Sequence, residues 1–342
     1  MRIIYVLVAM LLEVSNDLTE WVVCVRIYFL ALSCWISEIF FEYFTKGHAE
    51  LLDEIRKSEV NQQHVSEKVA VVTGADGTIG REVVRLLLSM NFTVHAIVGD
   101  SYKANEIFHG KAGYPSDRLR LYRRNFERNK EIIALSKLIA GKSKGNISMF
   151  VGCAGVMLVR KKYINDIESH LSVNVLANAL FIKALQECFN ERTRVLLLGS
   201  SACRVAMVPV LESEEQLLTN YVGPYQSYAY SKLALAAYVE HLSSSRFTTA
   251  CVHPGVVPSG LYRNTNFFVK LVTYIICPFF LRNGAFAALL VVHTATRNDL
   301  QKGSYYEDTK RIPVTDGLSI QHKQSLANAF NRIANRELGI AA

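Results

Sequence analysis

The sequence predicts a doubly wound α/β fold, a parallel sheet with helices on both faces, preceded by an N-terminal hydrophobic anchor helix. Three observations carry this. Short apolar runs of strand length alternate with helix-period stretches from Lys68 onward. A glycine-rich turn, Thr73-Gly74-Ala75-Asp76-Gly77-Thr78-Ile79-Gly80, lies between the first strand and the first of those helices. Ahead of both, residues 21–44 are apolar over a length that can cross a bilayer.

Taken in order, residues 3–12 are apolar but too short to span, and a signal sequence is their rival reading. Within residues 21–44, Arg26, Glu38 and Glu42 leave a clean centre at 27–37, which reads as a spanning or deeply seated interfacial helix. Basic residues are few before it (Arg2) and more frequent after it (Lys46, Arg56, Lys57, Lys68), so the main domain is expected on the cytoplasmic side. The chain thus divides into an anchor (1–45), a polar linker or surface helix (46–66), the α/β domain (67–320) and a C-terminal helix (321–342). Strands are expected at 69–72, 94–98, 119–122, 148–151, 194–198 and 248–252, and helices at 81–90, 164–189 and 228–242. Parallel pairing follows, because a parallel strand needs a long crossover and these helices supply it. Residues 266–281, with Phe267, Phe268, Phe279 and Phe280, read as a core helix or as an apolar lid. Their place beyond a strand's carboxyl end favours the lid.

A chain of 342 residues can hold one large α/β domain plus an appendage, or two small domains. The 50% hydrophobic content suits a membrane-attached protein, and the net charge of +8 suits an anionic membrane surface. Lys and Arg are scattered and no nucleic-acid motif is present, which excludes a nucleic-acid partner. The seven cysteines, Cys24, Cys34, Cys153, Cys188, Cys203, Cys251 and Cys277, lie mostly in apolar runs without metal-clip spacing. They read as buried free thiols, and no metal site is expected.

The chemistry begins at the glycine turn. Small residues there let the backbone approach a pyrophosphate, and the helix that follows offers free N–H groups. At the end of the second strand an acidic residue would hold the ribose of NAD and an Arg would accommodate the phosphate of NADP. Asp100 is acidic but two residues late, and no Arg is present, so dual use stays open. Tyr228 and Lys232 are four apart in a helical pattern and share one face. An ammonium there lowers the phenol pKa from about 10, which lets the oxygen exchange a proton with an alcohol or carbonyl. A second Tyr-x-x-x-Lys match, Tyr306 to Lys310, lies in a polar, turn-rich stretch and lacks a Ser-bearing strand end before it. Ser200, with Ser201 as its rival, ends the apolar run 194–198, where ligands collect in open α/β sheets. Asn174 interrupts an apolar helical pattern and reads as a cap for a backbone kink or a holder of a relay water.

Together these residues resemble the short-chain dehydrogenase/reductase family, from about Lys68 to Asp316. The resemblance implies a Rossmann fold and a tetrad of Asn174, Ser200, Tyr228 and Lys232. It implies that NAD or NADP is held by Gly74, Asp76, Thr78, Ile79, Gly80, Asp100, Asn125, Ala154 and Gly155, with Tyr228, Lys232, Pro254, Gly255 and Val257. The runs at 228–235 and 253–262 most resemble members that act on polyprenols, and then the retinol dehydrogenases. Three departures stand out: Thr78 replaces a usual Gly, Gly152-Cys153 replaces a usual Asn pair, and Asn125 replaces an Asp. The implied function is a membrane-associated oxidoreductase that interconverts a long-chain apolar alcohol of the polyprenol or dolichol type and its aldehyde or ketone. The alternatives are a retinoid or sterol substrate, or a non-catalytic nucleotide-binding membrane adaptor. The family further suggests a homodimer on the endoplasmic reticulum or a lipid droplet, with a lipid substrate and the membrane as partners.

Overall fold

The computed structural model describes residues 18–58, 68–109, 117–143, 145–209, 213–264 and 281–340. The segment expected at 3–12 lies outside them, as does 266–281 except for Leu281.

Ten strands form. They are β1 (Lys68–Thr73), β2 (Phe92–Val98), β3 (Leu119–Arg123), β4 (Met149–Gly152), β5 (Tyr163–Ile164), β6 (Ile167–Glu168), β7 (Arg194–Leu198), β8 (Thr248–His253), β9 (Ser304–Glu307) and β10 (Lys310–Arg311). Eight of them make one sheet in the order β10-β9-β8-β7-β4-β1-β2-β3, and β5 and β6 form a separate hairpin. Within the large sheet only the β9–β10 pair is antiparallel. The longer helices are α1 (Leu18–Phe40), α2 (His48–Lys57), α3 (Thr78–Ser89), α4 (Ser101–His109), α5 (Asn129–Lys142), α6 (Ala177–Leu185), α7 (Pro224–His241), α8 (Gly284–Thr296) and α9 (Ile320–Leu338).

The sheet is apolar on both sides because both sides are covered. Val69, Val71, Val195 and Leu197 face a core shared with α5, α6, α7 and α9. Ala70, Val72, Leu196 and Leu198 face one shared with α2, α3, α4 and α8. That alternation is the period of two of a strand. The chain runs outward from β1 to β3, then returns to lay β4 on the other side of β1. The strand order reverses between β1 and β4, and in such sheets a crevice opens there at the carboxyl ends of the strands.

Two details differ from the sequence reading. The helix expected from 164 begins only at Ser169, because Asn165 and Asp166 take left-handed backbone in the β5–β6 turn. Glu168 then caps the new start by accepting from the N–H groups of His170 and Leu171. Residues 304–311, read as a turn-rich stretch, extend the sheet as β9 and β10. Asp308 and Thr309 turn the chain with positive φ, which places Tyr306 and Lys310 on different strands and not on one helix face.

α1 is long and apolar enough to cross a membrane by length and composition. It lies against α7, and its Val23 and Cys24 share a buried cluster with Tyr225, Tyr228 and Ala229.

Candidate active site

A cleft of about 860 Å³ runs across the carboxyl ends of β1, β4, β7 and β8. Its nucleotide half is built on the turn between β1 and α3. Gly74 has φ of +62°, and a Cβ there would lie 2.8 Å from the Ala154 backbone, so any larger residue is both strained and crowded. Gly77 is the N-cap of α3 and supplies no side-chain acceptor, which leaves the first N–H groups of that helix to a ligand. Thr78, Ile79 and Gly80 line the cleft beside them, as do Asn125, Ala154, Gly155, Pro254, Gly255 and Val257. This left-handed turn and uncapped helix start fit a dinucleotide.

Asp100 does not line the cleft. Its carboxylate accepts from the N–H groups of Tyr102 and Lys103 and caps α4. The acid at this end is Asp76, which accepts from the Gly99 and Asp100 N–H groups at 3.3 and 3.0 Å and ties the glycine turn to the end of β2. Lys103, Arg123, Arg124 and Arg128, which the sequence reading passed over, line the same cleft. Arg128 pairs with Glu131, whereas Lys103, Arg123 and Arg124 form no ion pair among the described residues. The family Asn replaced by Gly152 has a substitute in space. A Cβ on Gly152 would meet Asn178 Oδ1 at 2.5 Å, so a side chain from α6 fills that volume.

The other half of the cleft carries the Tyr–Lys pair. Tyr228 and Lys232 lie on the cleft face of α7, with the Lys232 ammonium 6.0 Å from the Tyr228 ring centre. Lys232 Nζ donates to the Leu198 carbonyl at 2.8 Å, which aims it along the end of β7. Burial pulls the Lys232 ammonium down to about 8. Burial pushes the Tyr228 phenol up to about 12, and the neighbouring Ser200 hydroxyl pulls it back by favouring the phenolate. Ser200 lines the cleft, and its Oγ accepts from the Ala202 N–H at 3.3 Å. Ser201 also lines it. Burial keeps Cys153 and Cys251 protonated, each with a pKa of about 12, so they behave as small apolar residues.

Asn174 stands behind the cleft wall. Its Oδ1 accepts from the Val156 N–H at 2.8 Å, and its Nδ2 donates to the Val156 carbonyl and to Ser231 Oγ. The helix carrying it widens into a π turn at Ser172–Leu176, and Asn178 Nδ2 donates to the Asn174 carbonyl at 2.9 Å. The kink is therefore real, and Asn178 satisfies it. Asn174 instead clamps the loop after β4 to α7.

Sequence reasoning missed three further groups. His170 Nδ1 lies 2.8 Å from Glu168 and its Nε2 accepts from the Val159 N–H, so the buried ring is held in a T-shaped contact with Tyr228, ring centres 6.3 Å apart. Glu20 and Glu38 of α1 reach the catalytic face of the domain. For these two, a signal was present: acids in an apolar helix are costly unless they have partners in the protein.

With this geometry in view, comparisons with known proteins are informative. Residues 70–293 match the family model described as the NAD dependent epimerase/dehydratase family. The chain belongs to that family, among the short-chain dehydrogenase/reductases. It is similar to retinol dehydrogenase 12 of Homo sapiens, 29% identical over 72% of this chain and 80% of that one. It is similar to polyprenol dehydrogenase of Mus musculus, 28% identical over 59% of this chain and 64% of that one. Among solved structures, a short-chain dehydrogenase/reductase from Serratia marcescens superposes with a TM-score of 0.55 at 19% identity, covering 70% of this chain and 95% of that one. An NADPH-bound carbonyl reductase from chicken fatty liver does so with 0.55 at 17%, covering 72% and 98%. The chain is an NAD(P)-dependent oxidoreductase of the short-chain dehydrogenase/reductase family, related to retinol and polyprenol dehydrogenases.

Proposed function

We propose that this oxidoreductase interconverts a long-chain apolar alcohol of the polyprenol type and its carbonyl partner at a membrane surface. The observation that carries the reading is the pairing of Tyr228 and Lys232 with an apolar wall. Ile27, Leu30 and Ala31 of α1 and Met157, Leu158 and Leu261 line the same half of the cleft. An apolar chain entering there leaves water, at about 0.8 kcal/mol per buried CH₂.

A bound nicotinamide would supply the hydride acceptor or donor. Gly74, Thr78 and Ile79 would hold its pyrophosphate, and Lys232 its ribose. Tyr228 Oη takes the hydroxyl proton in the oxidative direction and returns it in the reductive one. Ser200 Oγ holds the reacting oxygen. Asn174 keeps the loop 155–157 against α7, so the floor of the site does not shift during turnover. Lys103, Arg123 and Arg124 favour the extra phosphate of NADP over NAD.

The test is nicotinamide turnover by the detergent-solubilised full chain with a long-chain polyprenol, with retinol in parallel, and NADP and NAD in separate runs. Faster turnover of the polyprenol with NADP is expected. Faster turnover of retinol moves the substrate to the retinoids. Silence with every alcohol in a nucleotide-bound, folded protein removes the reading.

A further inference from the structure

The helix that looks like a membrane crossing has both ends fastened to one side of the catalytic domain. Near its start, Glu20 is fully buried, and its two oxygens accept from the N–H groups of Tyr225 and Gln226 at 2.7 and 2.8 Å. Those groups belong to the first turn of α7, whose own N-cap, Gly223, offers no side chain. A carboxylate from another helix thus does the work of a cap, with the favourable sign for a helix N-terminus. A Cβ at Gly223 would collide with the Glu20 side chain, so the glycine leaves the space that Glu20 fills. Near the end of α1, Glu38 accepts from the Val256 N–H at 3.1 and 3.0 Å. Its carboxylate also lies 3.6 Å from His253 and 3.9 Å from Arg282. Val256 follows the Pro254-Gly255 turn that lines the nucleotide half.

At the rise of an α-helix, Glu20 and Glu38 are about 27 Å apart, close to the full thickness of a bilayer's hydrocarbon core. A segment tied to one protein surface at both points lies along that surface. Between them Tyr28 Oη meets Tyr225 Oη at 3.1 Å, and Ile27, Leu30 and Ala31 face the cleft. The opposite face is a stripe at helical spacing, Val25, Phe29, Leu32, Ile36, Phe40 and Phe44, all exposed. Arg26 stands exposed beside it, and the chain's net charge of +8 suits an anionic lipid surface.

Building on a membrane-borne alcohol as the substrate, we propose that α1 is a wall of the active site that lies flat on the membrane and does not cross it. Its inner face closes the substrate end of the cleft, and its outer stripe rests in lipid. Glu20 is a positioning residue that acts through α7 on Tyr228. The alcohol then enters the cleft from the lipid phase beside α1 without passing through water.

The test uses the full chain in sealed microsomes, tagged at both termini and treated with protease from outside. A helix lying on one face gives both tags one fate, both cleaved or both sheltered. One cleaved and one sheltered overturns the proposal, whichever way the helix runs. The combined Phe29→Glu, Leu32→Glu and Ile36→Glu variant should lose flotation with phosphatidylcholine–phosphatidylserine vesicles while it keeps NADP binding. Continued flotation, or a native dimer that this variant turns into monomers, overturns the lipid contact. Glu20→Gln should lower kcat about tenfold through misplacement of the Tyr228 helix, with KM for NADP and flotation unchanged and partial recovery in Glu20→Asp. An equal loss of NADP affinity would make Glu20 merely structural. If the native chain turns over no alcohol, the substrate reading fails while the tag and flotation results keep their meaning.

Discussion

At the β3 end of the cleft, Lys103 in the first turn of α4, Arg123 at the end of β3 and Arg124 just beyond it share the lining with a bed of backbone N–H groups; at the β7–β8 end, Tyr228 packs against α1 and Lys232 is buried beside it. In the proposed reading the two halves would meet the same cofactor by different physics. Backbone and exposed charges recognise phosphate in water, where each contact is weak and screened by salt. Buried groups interact strongly because water is excluded, and burial also shifts their proton equilibria. The nucleotide half should therefore tolerate change and the chemical half should not.

Tyr228→Phe tests that contrast most severely. Turnover should fall by roughly 10³-fold or more while NADP binding stays near the native value, because only the proton-transfer group is lost. Loss of both together would return Tyr228 to a packing role. Ser200→Ala should cost about 10²-fold. Its sign is also fixed: the Ser200 hydroxyl lowers the Tyr228 pKa, so removing it should move the rising limb of alcohol oxidation to higher pH. An unmoved limb would detach Ser200 from Tyr228.

A smaller effect sits at the junction between the halves. Burial alone would lower the His253 pKa, but contacts with Cys34 and Glu38 outweigh it and hold the imidazolium up at about 9. A folded pKa above the unfolded value of about 6.5 gives stability that is complete below pH ~6.5 and lost as pH rises through about 9, on the order of 3 kcal/mol. Thermal unfolding across that window should show the decline, and Glu38→Gln should flatten it. The smallest effect is expected at the open end. Arg124→Ala should raise KM for NADP about fivefold at low salt, less at high salt, and leave NAD unchanged. A large loss with both nucleotides would erase the contrast.

What the sequence by itself determined was local. The alternation of apolar strands and helices, the glycine turn and the Tyr228–Lys232 spacing depend on neighbours within a few residues, and backbone geometry makes such patterns legible. The coarse sheet could be read for the same reason. The tertiary structure decided whatever depends on a distant partner. Asp100 has a carboxylate at the end of β2, yet the N–H groups of α4 hold it away from the cleft, and Asp76 stands there instead. Asn174 reads as an isolated amide until Val156 and Ser231 arrive from other segments. Tyr306 and Lys310 repeat a motif but lie across a reverse turn. Above all, residues 21–44 look the same in sequence whether they cross a bilayer or cover a cleft. Only the fold shows that Glu20 and Glu38 fasten this helix to the domain, because a buried carboxylate needs donors, and theirs are more than two hundred residues away on α7 and after β8.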